Sequence, residues 1–218
     1  MTARAVVFDC DGVLVDSEPV LQSIWAQVVA RYGYEVTADD EQACLGRNER
    51  SEYAYLAERA DLPAWGEFIG EIRALEGERY FADLRAFPDA VGAVRALAGQ
   101  GVPLAVGSSS PRRRVEPTLA LTDVARYFEV VVAGDDLRNG AMLASKPDPD
   151  IYLAAAARLR VDPVSCIAIE DSQAGVEAAS AAGMRVIAVA REGAPPVSGA
   201  ATVDAVDPEL ILVWMGLR

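Results

Sequence analysis

The chain has 218 residues, 52% of them hydrophobic, so it can bury the core of one domain or of one domain that carries an insertion. Its 20 basic and 33 acidic residues give a net charge of −13, which disfavours binding to nucleic acid or to anionic membrane surfaces. The absence of histidine excludes histidine-based catalysis, and the three scattered cysteines suggest neither a zinc site nor disulfides. Since no apolar run suits a signal peptide or a membrane span, we expect a cytoplasmic protein.

The first predicted element is a strand at residues 4–9, where an apolar run leads into Asp9-Cys10-Asp11-Gly12. Side chains alternate along a strand, so we expect the carboxylates of Asp9 and Asp11 to point the same way. Two like charges in one small space call for a divalent cation or a bound proton, and both are typical of phosphoryl chemistry. Taken alone, the motif could equally be an acidic turn without function.

Residues 17–85 show only helical periodicity, at 20–32, 51–59 and 65–80. This block follows the carboxyl end of the first strand, where open α/β sheets bind ligands, and we therefore expect it to act as a lid over the two aspartates. Its aromatic residues are expected to form a small core of their own.

From residue 86 onward, short apolar runs alternate with helical patterns, which is typical of a parallel α/β sheet with crossover helices. The predicted strands are 102–107, 130–133, 165–169, 185–189 and 202–206. The predicted helices are 89–100, 111–119, 149–159 and 174–182. We therefore predict a Rossmann-like parallel sheet core, a three-layer α/β/α arrangement, formed by residues 1–16 and 86–218 and interrupted by a helical cap domain at 17–85.

Further polar groups follow three of the predicted strands. They are Ser108-Ser109-Ser110, Lys146-Pro147 and Glu170-Asp171-Ser172. Each could by itself be an ordinary helix cap or turn. Because the carboxyl ends of parallel strands meet at one edge of a sheet, their recurrence predicts a shared site there. Lys146 is the only lysine in a chain that otherwise uses arginine, which also favours a chemical role for it.

As an ordered set, these motifs resemble those of the haloacid dehalogenase superfamily, whose members are aspartate-nucleophile phosphotransferases. The chain is most similar to the branch that has a helical cap after the first motif and that holds sugar-phosphate phosphatases, phosphoglycolate phosphatases and β-phosphoglucomutases. The matching positions are Asp9 to Val13, Ser108, Lys146-Pro147, Glu170-Asp171-Ser172 and Gly175. The stretch 134–145 before Lys146 is longer than the resemblance leads us to expect.

The resemblance implies a role for each matched residue. Asp9 would attack phosphorus and form an aspartyl-phosphate, and Asp11 would protonate the leaving alkoxide and then activate water. Lys146 and Ser108 would donate to the phosphoryl oxygens, and Ser109 would contact the substrate. The implied cofactor is Mg²⁺, with ligands from Asp9, the Asp11 backbone carbonyl, Glu170 and Asp171.

Substrate specificity is expected to reside in the cap. Gly46, in a loop that resembles the substrate loop of this branch, would allow close approach to the substrate. Arg47 and Arg50 would hold an anionic or hydroxyl-rich substrate, and Arg112 would meet it from the core side. The alternative is that these arginines are solvated surface residues.

The expected function is that of a Mg²⁺-dependent phosphatase acting on a small phosphorylated metabolite, a sugar phosphate or similar, as a monomer or small homo-oligomer. A β-phosphoglucomutase-like isomerase is the alternative, although that branch has a histidine near Leu21 and a cap lysine, and this chain has neither. Asp11 argues against dehalogenation, because halide leaves without a proton. A catalytically silent binding protein is the non-enzymatic alternative, whereas a phospho-receiver module would be much shorter and would have no cap.

Overall fold

The computed structural model of the protein describes residues 4–44, 49–191 and 196–217. The chain divides into two compact units, a core unit of residues 1–16 with 86–218 and a helical unit of residues 17–85. The predicted fold class, a parallel α/β core with an inserted helical domain, is confirmed. Among the described residues, no helix combines the length and the apolar character needed to cross a bilayer.

In chain order, the strands are β1 (Ala5–Phe8), β2 (Val15–Asp16), β3 (Arg85–Ala86), β4 (Leu104–Gly107), β5 (Val130–Val132), β6 (Leu137–Arg138), β7 (Ala141–Met142), β8 (Cys166–Glu170), β9 (Arg185–Val189) and β10 (Ala201–Val203). The helices are α1 (Glu18–Ala30), α2 (Ala38–Cys44), α3 (Glu49–Ala57), α4 (Trp65–Asp83), α5 (Pro88–Gly99), α6 (Arg112–Leu121), α7 (Asp150–Leu159), α8 (Gln173–Ala181) and α9 (Pro208–Met215).

The core unit contains a six-stranded parallel sheet in the order β10-β9-β8-β1-β4-β5. The central strands β1 and β8 are buried along their whole length, as expected of parallel strands with helices on both faces. The alanine-rich faces of α7 and α8 pack in the same apolar cluster as residues of β1 and β8. Their small side chains allow each helix to lie close to the sheet.

The elements of the core unit that were not predicted include the short strand β2, the hairpin β6–β7 and the helix α9. In the hairpin β6–β7, Leu137 pairs with Met142. Its turn residues Asn139 and Gly140 both have positive φ, and Asn-Gly between two short strands is a hairpin signal. The helix α9 begins at Pro208 and is capped by the Asp207 side chain. Both signals are present in the sequence.

The helical unit packs around the aromatic ring of Phe68. The rings of Trp25 and Tyr53 lie 5.4 and 5.3 Å from it, and that of Tyr32 lies 6.4 Å away. Apart from Arg85 in β3, the secondary structure described for this unit is helical. The rings thus form a core within the unit, as the sequence predicts.

A buried carboxylate, Asp40, organises the start of α2. Its Oδ2 accepts from the Thr37 N–H at 2.9 Å, and the Thr37 hydroxyl in turn accepts from the Asp40 N–H at 3.2 Å. The hydroxyls of Tyr34 and Tyr55 also donate to Asp40, and Arg59 forms a 3.2 Å ion pair with it. The reciprocal Thr37–Asp40 bonds resemble a capping box, a signal that could have located this unpredicted helix.

Candidate active site

Asp9 lies immediately after β1, at the carboxyl edge of the sheet. Its backbone N–H donates to the Ile169 carbonyl of β8 at 2.9 Å, and its side chain is buried. The chain then turns tightly, since the Gly12 N–H donates to the Val15 carbonyl at 2.8 Å. The strand β1 ends at Phe8, so Asp9 and Asp11 lie beyond it, and side-chain alternation along a strand does not set their directions. The turn orients the two side chains instead.

The serine run after β4 contacts Asp11. The Ser110 hydroxyl donates to Asp11 Oδ2 at 2.7 Å and accepts from Arg114 Nη1 at 3.3 Å. The buried Ser108 Oγ lies 3.5 Å from the same carboxylate oxygen and accepts from the Ser110 N–H. Among the described residues, the buried Ser109 Oγ has no hydrogen-bond partner.

Lys146 connects two of the predicted acidic residues. Its Nζ donates to Asp9 Oδ1 at 2.7 Å and to Glu170 Oε1 at 2.6 Å, and its side chain is only 7% exposed. These residues come from three separate segments: the end of β1, the loop before α7 and the end of β8. The fold thus brings the ammonium group between two carboxylates that are far apart in sequence.

Negative charge is concentrated in this small volume. Burial raises the pKa of Asp9 to about 7; the positive charge of Lys146 opposes the rise, and the charges of Glu170 and Asp11 add to it. Burial and the same Glu170 carboxylate raise the pKa of Asp171 well above its ordinary value of 3.8. One lysine therefore does not neutralise the cluster, and a bound cation would stabilise it.

The donor set fits a divalent metal ion. Asp9, Glu170 and Asp171 each offer a carboxylate oxygen, and these three oxygens lie within 4.8 Å of one another. Carboxylate oxygens are hard ligands, which Mg²⁺ prefers. If all three carboxylates were ionised around a bound ion, their charge would exceed that of the one ammonium by two, which a divalent ion would balance. The Asp11 side chain is outside this group, and its predicted contribution was through its backbone carbonyl.

Two glycines allow close packing around the acidic residues. A Cβ atom on Gly12, whose φ is +74°, would lie 1.8 Å from Asp171 Oδ2. A Cβ atom on Gly175, in the first turn of α8, would lie 1.9 Å from the Glu170 carboxylate. Both contacts are far shorter than van der Waals separation, so only glycine allows the backbone to approach these carboxylates. Gly175 is one of the positions that match the family's motifs, and this contact explains why glycine is required there.

Arg191 supports the turn that carries Asp11. Its Nη2 and Nε donate to the carbonyls of Val13 and Gly12 at 2.9 and 3.2 Å, and its Nη1 pairs with Asp89 at 2.9 Å. Arg191 is not among the site residues predicted from the sequence. In sequence, Arg191 is 179 residues from Gly12, 178 from Val13 and 102 from Asp89, so no local pattern could have identified it.

Arg112 is engaged elsewhere in the core unit. Its guanidinium makes two Nη2 bonds with the buried Asp136, at 2.7 and 2.8 Å, and pairs with Glu116 at 2.7 Å. It also donates to the Val131 carbonyl at 3.0 Å. None of these partners belongs to the group formed by Asp9, Lys146, Glu170 and Asp171, and the contacts favour a structural role for Arg112. Arg112 is therefore not among the residues proposed to contact the substrate.

The predicted cap residues belong to the helical unit. Arg50, the second residue of α3, is exposed, and its guanidinium carbon lies 5.0 Å from the centre of the Trp65 ring. Gly46 and Arg47 lie outside the described residues. The substrate roles of these three residues stay predictions.

Known proteins resemble the chain along most of its length. It is 34% identical over 185 residues to the phosphorylated carbohydrates phosphatase of Thermotoga maritima, covering 84% of this chain and 83% of that protein. It is 31% identical over 189 residues to the fructose-1-phosphate phosphatase YqaB of Escherichia coli, covering 84% and 95%. A solved structure titled putative β-phosphoglucomutase, from Thermotoga maritima, matches with a TM-score of 0.76 and 30% identity, covering 99% of this chain and 100% of that one.

A sequence profile of haloacid dehalogenase-like hydrolases matches residues 3–183, a range that includes Asp9, Lys146, Glu170 and Asp171. The resemblance inferred from the four motifs and the prediction that the chain is a hydrolase are both confirmed. On the profile match and on the identities to these relatives, the chain belongs to the haloacid dehalogenase-like hydrolases.

Proposed function

We propose that the protein is a Mg²⁺-dependent phosphatase that hydrolyses a small phosphate monoester, a sugar phosphate or similar, through an aspartyl-phosphate on Asp9. The observation that carries the proposal is the contact between Asp9 and Lys146 inside a group of three carboxylates. A phosphate monoester is a dianion, so its hydrolysis requires charge neutralisation and alignment more than a strong base. A buried nucleophile beside an ammonium and a cation-binding set supplies both.

Each residue has a defined task in this proposal. An Asp9 carboxylate oxygen attacks phosphorus in line with the leaving oxygen, while Lys146 and Ser108 donate to the phosphoryl oxygens. Asp11 gives its proton to the departing alkoxide and then takes one from the water that hydrolyses the aspartyl-phosphate. A bound Mg²⁺, held by Asp9, Asp171 and Glu170, would neutralise phosphoryl charge. The Ser110 contact keeps the Asp11 carboxylate beside Ser108.

The relatives support the proposed substrate class. Two proteins that are at least 31% identical to this chain carry names that specify phosphatases of phosphorylated carbohydrates. Arg47 and Arg50 remain our candidates for contacts with the substrate hydroxyl groups or with a second anionic group. Ser109, whose buried hydroxyl has no partner among the described residues, is the candidate on the core side.

Phosphate release tests the proposal directly. The protein should release inorganic phosphate from some members of a panel of sugar phosphates, polyol phosphates, phosphoglycolate and nucleotides. Activity should disappear in chelator and return with Mg²⁺, and Ca²⁺ should support less because it relaxes the tight octahedral geometry. Full activity in chelator would contradict the metal requirement, and no turnover on any substrate would favour a catalytically silent protein.

The isomerase is the second candidate, because a structure similar to this one is titled a putative β-phosphoglucomutase. A mutase must exclude water while its bisphosphate intermediate reorients, which requires a cap that holds both phosphates. This chain has neither a cap lysine nor a histidine for that task. Phosphorus NMR distinguishes the two: we expect free phosphate from β-glucose 1-phosphate or a similar sugar phosphate, whereas conversion to glucose 6-phosphate with little free phosphate would establish the isomerase.

A further inference from the structure

A buried tyrosine lies directly beside the proposed catalytic lysine. Tyr152, in the first turn of α7, has no exposed surface, and its hydroxyl donates to Glu170 Oε1. The Lys146 Nζ, bonded to the same oxygen, lies 5.0 Å from the centre of the tyrosine ring. Tyr152 is not among the site residues predicted from the sequence, because an aromatic residue in an alanine-rich helix is expected to be part of the core.

The Glu170 carboxylate accepts hydrogen bonds from five protein donors. Oε1 accepts from Lys146 and Tyr152. Oε2 accepts from the Asp171 N–H at 3.1 Å, the Ser172 N–H at 3.3 Å and the Ser172 hydroxyl at 3.2 Å. A carboxylate has about four acceptor positions in total. The Tyr152 hydroxyl therefore takes a position on Oε1 that Lys146 or a cation could otherwise use.

Packing alone does not explain the hydroxyl group. A phenylalanine would fill the same buried volume without the cost of removing a hydroxyl from water. The hydroxyl is retained where it contacts a carboxylate that also binds Lys146, and Lys146 in turn contacts Asp9 at 2.7 Å. The chain of contacts from Tyr152 thus reaches the proposed nucleophile through two intermediates.

We propose that Tyr152 is a positioning residue whose hydroxyl shares Glu170 Oε1 with Lys146, keeps the ammonium between Glu170 and Asp9, and limits the negative charge that Glu170 offers to a metal ion. The inference rests on the proposed function. Without the hydroxyl, Lys146 would be the sole donor to Oε1 and would move toward Glu170, away from Asp9. Glu170 Oε1 would also have a free acceptor position and one hydrogen bond fewer to offset its negative charge, and it would therefore be a better metal ligand.

The Tyr152→Phe variant separates this role from a purely structural one. We expect Mg²⁺ to bind at least about threefold more tightly by calorimetry without substrate, while kcat with p-nitrophenyl phosphate falls at least about tenfold and KM changes less than about twofold. If Tyr152 had only a structural role, loss of its hydroxyl would loosen the site and weaken Mg²⁺ binding instead. Tyr53→Phe is the matched control, since it removes a hydroxyl bonded to the Pro63 carbonyl in the helical unit and should leave Mg²⁺ binding unchanged.

A double-mutant cycle with Glu170→Gln tests whether Tyr152 acts through Glu170. In that background, Tyr152→Phe should change kcat by less than about twofold, because the shared carboxylate is gone. The inference would be overturned if Tyr152→Phe lowered kcat as much in the Glu170→Gln background as in the wild type. It would also be overturned if the single variant Tyr152→Phe bound Mg²⁺ no more tightly than the wild type. The calorimetry needs no turnover, so tighter Mg²⁺ binding in a variant of an otherwise inert protein would support Tyr152 while refuting the proposed phosphatase.

Discussion

Asp9 in the core unit and Asp40 in the helical unit are both buried carboxylates, yet their surroundings shift their pKa values in opposite directions. Burial beside other carboxylates raises the pKa of Asp9. The Thr37 N–H and hydroxyl, followed by the hydroxyls of Tyr34 and Tyr55, hold the pKa of Asp40 well below its usual range. Asp40 is surrounded by donors, whereas Asp9 shares its site with like charges. The difference distinguishes a carboxylate that stabilises the fold from one whose surroundings favour reaction with a ligand.

The largest effect is expected from Asp9→Asn. Loss of the nucleophile should lower the rate of phosphate release at least about a thousandfold, which corresponds to roughly 4 kcal/mol in the barrier. The midpoint of thermal unfolding in chelator at about pH 8 should stay the same or rise, because the substitution removes one of several mutually repelling buried charges. Phosphate assays and circular dichroism measure the two quantities. A midpoint several degrees lower would mean that Asp9 stabilises the fold as Asp40 does.

The close approach of the backbone to Asp171 is tested by Gly12→Ala. The added Cβ would lie 1.8 Å from Asp171 Oδ2, so we expect the site to distort, with at least a hundredfold loss of activity, or about 3 kcal/mol. Gly33→Ala in the helical unit is the matched control, since Gly33 has a similar φ of +77° with no atom within 4 Å of the new Cβ. It should lower the free energy of unfolding by about 1 kcal/mol and leave the rate unchanged. Equal rates for the two variants would refute the steric explanation.

Asp40→Asn should affect stability instead of catalysis. The amide presents donors to Tyr34, Tyr55 and Arg59, which are themselves donors, so we expect a loss of about 2 kcal/mol in the free energy of unfolding in urea. Hydrolysis of p-nitrophenyl phosphate by the folded protein should stay within about twofold of wild type. Asp61→Asn is the control, because Asp61 is an exposed carboxylate of the same unit and should cost less than about 0.5 kcal/mol. Equal losses in the two variants would mean that burial and bonding of Asp40 contribute nothing.

The smallest effect is the pH dependence of the Asp40 contribution. The pKa of Asp40 is lower in the folded protein than its ordinary value of 3.8, so the unfolded chain binds more protons in that range. The stabilisation is therefore fully present above about pH 5 and is lost as the pH falls through 3.8 toward the folded pKa. The stability difference between wild type and Asp40→Asn should shrink by about 1 kcal/mol between pH 5 and pH 3 in urea titrations. A difference that grows toward low pH would contradict the direction of the shift.

Much of the architecture could be predicted from local patterns. Apolar runs between helical patterns predicted the strands of the parallel sheet, because strands buried on both faces must be continuously apolar. The hairpin at Asn139-Gly140 and the helix α2 were missed although the sequence contains signals for both. The motif order predicted Asp9, Lys146 and Glu170 as a group, because the carboxyl ends of parallel strands lie at one edge of the sheet.

The sequence by itself determined the fold class, the family and the set of residues available for phosphoryl chemistry, since these depend on local periodicity and on the order of short motifs. Only the tertiary structure decided which side chains meet. In the structure, Arg112 pairs with Asp136, Arg191 donates to the Gly12 carbonyl, and the Tyr152 hydroxyl donates to Glu170. These pairings join residues 18 to 179 positions apart, and their distances depend on how helices and strands pack, a property that no local pattern encodes.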